Sequence, residues 1–169
     1  MRRHPTRGGR RSAISAGLTA FLGLGSSACV PAELGDRHAD QVEEYLATPF
    51  QPDGVPYLDP ELAIGPPDGR TVALGLGSMV VLRFYRAIPD GEGPDLRVYE
   101  VGEDGAEARV AVSPDGNGWV ELSRSASGPA TDFDLSGTGI DLAHFVRIRG
   151  LDMSGPEPGF DLDAVSVLH

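Results

Sequence analysis

Apolar and polar positions alternate along short segments of residues 40–169, and Gly or Pro separates one segment from the next. Val146 and Ile148, for example, alternate with Arg147 and Arg149. A period of two places successive side chains on opposite faces of a strand, and many short strands between turns are typical of a sandwich. The pattern therefore predicts an all-β fold, an antiparallel β-sandwich of eight or nine strands with little helix.

Individual strands are predicted where Val, Leu, Ile, Phe and Tyr dominate a segment. The clearest are 79–85, 96–101, 108–112, 119–122, 144–150 and 160–168, and weaker ones are 71–75 and 131–135. Residues 40–46 are predicted as either the first strand or a short helix. Pro-Asp-Gly predicts turns, since Pro fixes φ, Asp caps the turn and Gly adopts positive φ. It occurs at 52–54, 67–69, 89–91 and 114–116.

The first 28 residues differ from the rest of the chain. Residues 1–11 hold five arginines and no acid, and 12–28 are apolar or small, which is typical of a secretory signal peptide. The single cysteine, Cys29, follows Ser-Ser-Ala, an order that resembles a bacterial lipobox. We expect an exported protein that is anchored in the cell envelope or at the cell surface by lipid on Cys29, with a tether at 29–39 and one domain at 40–169. Ordinary secretion with a free thiol is the alternative.

The charge is strongly acidic once the leader is set aside. Of the 14 basic and 25 acidic residues, five arginines and no acid lie in residues 1–28, which leaves a net charge of −16. Such a surface repels phosphate backbones, so nucleic acid is excluded as an expected partner. It suits hard cations such as calcium, although acidity also keeps an exported protein in solution.

Two aspartates in the last predicted strand raise a question of charge. By alternation, Asp161 and Asp163 share a face with Val165 and Val167. Two like charges so close together repel one another, and they lose solvation if they are buried. They need water, an arginine partner or a metal ion.

A glycine-rich loop offers partners for these aspartates. It contains Asp90 and Asp95, and the turn at 67–69 adds Asp68. Calcium takes six to eight oxygens from carboxylates and backbone carbonyls, which such loops supply. We therefore predict a structural calcium site whose ligands are Asp68, Asp90, Asp95, Asp161 and Asp163. Pairing with arginine is the alternative.

Catalytic motifs are absent from the sequence. No G-x-S-x-G nucleophile motif occurs, and the histidines lack the spacing of zinc ligands. A carboxylate pair such as Glu100 with Asp163 is the one candidate for glycoside hydrolysis. Trp119 follows a turn at a strand start, where we expect it to be part of the core rather than an exposed platform for sugar stacking.

The order of several segments resembles one family. These are 63–69, 72–84, 88–102, 108–122, 133–135, 145–152 and 159–165. They resemble the discoidin-like, galactose-binding-like jelly-roll domains of bacterial cell-surface proteins and lipoproteins, and 113–119 looks like the S-x-D-G-x-x-W turn of such domains.

The resemblance implies a non-catalytic module that binds glycans or other surface ligands through loops at one end. It also implies a structural calcium near the terminal strand. The aromatic side chains available for a ligand in such loops are Phe50 and Tyr57. Two alternatives remain, namely a structural or assembly lipoprotein that contacts another protein and a small glycoside-acting hydrolase.

Overall fold

A computed structural model describes residues 37–48, 59–102, 105–151 and 159–169. These residues form nine strands and one 3₁₀ turn, Pro60–Ala63. The strands are β1 (Gln41–Leu46), β2 (Val72–Leu74), β3 (Met79–Pro89), β4 (Leu96–Glu100), β5 (Ala108–Ser113), β6 (Val120–Ala126), β7 (Ala130–Phe133), β8 (Leu142–Gly150) and β9 (Phe160–Val167). Every predicted strand is therefore present.

The strands form two antiparallel sheets that pack as a sandwich. One sheet has the order β1-β3-β8-β5-β6 and the other β2-β9-β4-β7. Alternate residues of each central strand enter the shared core, as Val80, Leu82 and Phe84 do on β3. Burying each such side chain stabilises the fold by about 1.5–3 kcal/mol. The predicted all-β, antiparallel sandwich is confirmed.

The ambiguous segment 40–46 is a strand with a bulge. Val42 and Tyr45 both pack against the core, although they are three residues apart. The pairing of β1 with β3 shifts register between Val42 and Glu44, so Glu43 is an extra residue that returns Tyr45 to the inner face. A spacing of three is also helical, which is why the sequence left two interpretations open.

A second bulge lies in β9 and corrects the predicted faces of that strand. Tyr99 of β4 pairs with Ala164 and Glu100 pairs with Leu162, so Asp163 is the extra residue. Leu162 and Val165 consequently both lie in the core. The prediction that Asp161 and Asp163 share a face with Val165 and Val167 is therefore wrong, because the bulge reverses the alternation.

Candidate functional site

The loop before β4 brings three carboxylates together. Asp90, Asp95 and Asp134 each place an oxygen within 4.8 Å of the others. Asp95 is fully buried, and its Oδ1 accepts a hydrogen bond from the Gly91 N–H at 2.7 Å while its Oδ2 accepts one from the Leu135 N–H at 2.7 Å. The pKa of Asp90 is raised by desolvation and by the nearby charges of Asp95, Asp134 and Asp141. The cluster is thus a region of like-charge repulsion.

The end of β9 packs against the same loop. Leu168 donates its N–H to the carbonyl oxygen of Asp95 at 2.8 Å, and His169 Nε2 lies 3.5 Å from Asp95 Oδ1. A Cβ on Gly91 would lie 2.9 Å from the His169 ring, so the ring would have to shift to make room for a side chain there. Arg86 donates a hydrogen bond to the His169 carbonyl oxygen at 2.9 Å. Backbone, cation and ring contacts therefore fix the loop against the terminal strand.

Asp163 lies at the other end of β4. Leu96, next to Asp95, pairs with Val167, whereas Asp163 lies in the bulge opposite Tyr99 and Glu100. Leu96 and Glu100 are four residues apart on β4, so about 13 Å of strand separates the two ends. The Asp163 carboxylate accepts hydrogen bonds from the N–H groups of Asp68 (3.1 Å) and Gly69 (3.2 Å). Its partners are turn amides, which neither the predicted metal nor the alternative arginine anticipates.

The five predicted calcium ligands are consequently not brought together. Asp90 and Asp95 lie at one end of β4, Asp163 and the turn of Asp68 at the other. Asp161, near the latter end, uses its carbonyl oxygen to accept the N–H of Val101 at 3.0 Å. The three grouped carboxylates include Asp134, which is not among the predicted ligands. They supply part of the six to eight oxygens that calcium requires.

The outer face of the five-stranded sheet carries a groove of about 290 Å³. All five strands contribute to it. Its lining residues are Leu46, Gly77, Met79, Arg109, Ala111, Glu121, Arg147 and Arg149. Two rows of paired residues cross the sheet here. One is Met79, Arg149 and Arg109, and the other is Val81, Arg147, Ala111 and Glu121. We call this surface the arginine groove.

Trp119 borders this surface and is not part of the buried core of the described residues. The Arg147 guanidinium lies 4.6 Å from the centroid of its ring, a cation–π contact. The expectation of a core tryptophan is therefore wrong, because the side chain covers an arginine on the outer face rather than one end of the sandwich. Alternation in 146–149 was the sequence signal for this basic face.

Several predicted features lie outside the described residues. They are the signal peptide, Cys29, Phe50 and Tyr57. The part of the chain that the structure describes contains no helix with the length and apolar character needed to cross a membrane.

Comparisons with known proteins identify the fold. No protein-family model matches the chain, and no curated protein matches it. Among solved structures, it is similar to the CBM32 carbohydrate-binding module of AlyQ in complex with 4,5-unsaturated mannuronic acid, with a TM-score of 0.51 and 14% identity over 78% of this chain and 98% of that module. The CBM32 module CpGH89CBM32-6 produced by Clostridium perfringens matches with a TM-score of 0.46 and 11% identity, over 80% and 96% of the two chains. The discoidin-like, galactose-binding-like jelly roll predicted from the sequence is confirmed as the fold.

Proposed function

We propose that residues 40–169 are a non-catalytic glycan-binding module of an exported protein. The observation that carries the proposal is the fold. It is similar to that of a carbohydrate-binding module in complex with 4,5-unsaturated mannuronic acid, and the match covers 98% of that module. Modules of this class bind glycans and are non-catalytic. Fold alone does not fix function, so the surface has to offer a ligand site as well.

The arginine groove supplies such a surface. The groove is open to solvent and is lined by both polar and apolar side chains. The ring of Trp119 borders it. Sugar rings bind where apolar side chains and hydrogen-bonding groups converge in this way. Glu121 is the one carboxylate among the lining residues of the groove. Binding needs no further carboxylate, whereas glycoside hydrolysis needs two that flank the scissile bond.

A glycan array with neutral and acidic oligosaccharides tests this function. We expect the purified protein to be retained on a subset of the glycans and to leave every one of them uncleaved. Absence of retention on all of them would contradict the proposal and favour the alternative of a structural lipoprotein that contacts another protein. Release of reducing ends would favour the hydrolase alternative.

We also propose that a lipid on Cys29 anchors the module to a membrane. This proposal rests on the basic and apolar segments before Cys29 and on the small residues that precede it. We expect the wild-type protein, produced in a bacterium, to fractionate with membranes and to incorporate labelled fatty acid. Cys29→Ser should abolish both, with Ser15→Ala, which lies outside the Ser-Ser-Ala before the cysteine, as the control that keeps Cys29. Fatty-acid incorporation into Cys29→Ser would contradict the assignment.

A further inference from the structure

We infer that the arginine groove binds the carboxylate groups of an acidic glycan, a polymer that contains uronic acids. The inference rests on the proposed function and deepens it, because it names the class of sugar and the face that binds it. The face is the flat outer side of the five-stranded sheet, not the loops at one end of the sandwich.

Among the described residues, three arginines and one glutamate line the groove, so its cations outnumber its anions. Arg149 of β8 and Arg109 of β5 are directly paired across the sheet, and like charges in this position destabilise a strand pair. Arg109 lies 3.4 Å from Glu121. Among the residues that the structure describes, no carboxylate is within ion-pair distance of Arg147 or Arg149. Within the described part of the chain, these two guanidinium groups, two residues apart on one strand face, therefore lack counter-charges.

The arginines are unevenly distributed over the surface of the domain. Four of the nine arginines that follow residue 28 lie on this face, namely Arg83, Arg109, Arg147 and Arg149. The rest of the surface is acidic and repels a polyanion at long range. At physiological ionic strength, however, charges more than about 8 Å apart are largely screened, so the local arginines decide what binds in the groove.

The geometry favours carboxylates on a sugar. Guanidinium is planar, and its donors match the two oxygens of a carboxylate in its own plane. Stacking on Trp119 covers a face of Arg147 and leaves its in-plane N–H donors available. Leu46, Met79 and Ala111 line the groove beside the arginines and give it an apolar floor. An apolar floor beside paired donors suits a sugar ring that bears a carboxylate.

Polygalacturonate and its fully methyl-esterified form provide a matched pair of probes for affinity electrophoresis of the purified protein. The ester keeps the sugar backbone and removes the charge. We expect retention by polygalacturonate only, and a loss of affinity of about tenfold or more in Arg149→Gln and in Arg147→Gln, because each removes charge-assisted hydrogen bonds. Arg70→Gln, an exposed arginine before β2, is the control with the same change of charge and should bind as wild type.

Thermal unfolding separates binding from folding. Because Arg149 opposes Arg109, its replacement by Gln should leave the midpoint unchanged or raise it slightly. Retention of a neutral glycan with no effect of either groove variant would overturn this inference and leave the proposed function intact. Equal retention of dextran sulfate would overturn the assignment to carboxylates, because charge alone would then suffice. Absence of binding to any glycan would overturn both the inference and the proposed function.

Discussion

Asp95 shows how a single buried carboxylate holds the loop at one end of the sandwich. The side chain is fully buried, and its two oxygens accept hydrogen bonds from Gly91 and Leu135 at 2.7 Å each. Its backbone carbonyl also accepts the N–H of Leu168. One residue thus joins its own loop, the segment after β7 and the end of β9.

Asp95→Ala should lower the free energy of unfolding by about 3 kcal/mol. The change leaves the buried Leu135 N–H and the part-buried Gly91 N–H without acceptors, and an unsatisfied buried donor costs about 1–3 kcal/mol. Urea denaturation measures the effect. Asp134→Ala is the control, because that side chain is exposed. A loss for Asp95→Ala no greater than for the control would contradict this role.

Asp132 and Arg97 form a bidentate pair across β4 and β7. Arg97 Nε donates to Asp132 Oδ1 at 2.5 Å and its second nitrogen donates to Oδ2 at 2.8 Å. The hydrogen bond from Arg97 holds the pKa of Asp132 below its ordinary value of 3.8. A carboxylate with a lowered native pKa contributes stability above its ordinary pKa, and this contribution is lost as pH falls through the native pKa.

The pH dependence of unfolding tests this pair. We expect Asp132→Asn to be less stable than wild type at neutral pH, and the difference to shrink below about pH 4 as the wild-type carboxylate is protonated. Guanidinium denaturation at pH 7 and near pH 2.5 measures the two differences. An equal difference at both values would show that packing, not charge, is what Asn removes.

At the same scale, the sequence reveals which residues are charged but not what they contact. The sequence predicts a calcium ion or an arginine beside Asp163, yet its partners are the backbone N–H groups of Asp68 and Gly69. Backbone donors are present at every residue except proline, so residue types carry no signal for them. Asp134 was missed for a related reason, because the pairing of β4 with β7 brings it near Asp95 across a separation of 39 positions.

At the scale of the strands, alternation predicted nearly every element, and bulges caused the errors. Strand β8 follows its predicted faces, since Val146 and Ile148 are both in the core. In β1 and β9 an extra residue shifts the register, so the alternation of inward-facing and outward-facing side chains is interrupted at Glu43 and Asp163. Bulges depend on the partner strand, which the sequence of one strand does not specify.

Gly150 ends β8 where it meets the end of β2. Its N–H donates to the carbonyl oxygen of Ser78 at 3.0 Å, and its own carbonyl accepts the N–H of Gly77 at 2.9 Å. A Cβ on Gly150 would overlap the carbonyl oxygen of Leu74. This glycine is therefore required for close backbone approach.

Gly150→Ala should lower the free energy of unfolding by about 3 kcal/mol, because overpacking against rigid backbone forces the two strands apart. Gly118→Ala is the matched control, since no atom lies within 4 Å of its added Cβ. Thermal melts of both variants measure the difference. A midpoint for Gly150→Ala equal to that of the control would show that the strand ends move apart at little cost.

At the scale of the whole molecule, the calcium ion stays a prediction. Within the part of the chain that the structure describes, the carboxylates grouped closely enough to share an ion are Asp90, Asp95 and Asp134. We expect millimolar calcium to raise the melting midpoint of the wild type relative to excess EGTA, as a ligand at 100 times its Kd adds about 2.7 kcal/mol. Asp90→Asn should lose this response.

The Asn variant also has an expected behaviour without calcium. Neighbouring acids and desolvation raise the pKa of Asp90, so its ionised form destabilises the native state above that pKa. In EGTA at neutral pH, Asp90→Asn should therefore melt slightly above the wild type. Asp163→Asn, whose partners are turn amides, should respond to calcium as the wild type does. Overlaid wild-type curves with and without calcium would exclude a stabilising ion.

The order of the four-stranded sheet affects how the molecule is made. Strand β9 lies between β2 and β4, so β2 has no partner in that sheet until β9 is present. During synthesis the four-stranded sheet therefore cannot be completed before β9 has left the ribosome. A chain that completes its fold this late stays unfolded while a translocation channel carries it. Such late folding would suit the leader that is predicted for residues 1–28.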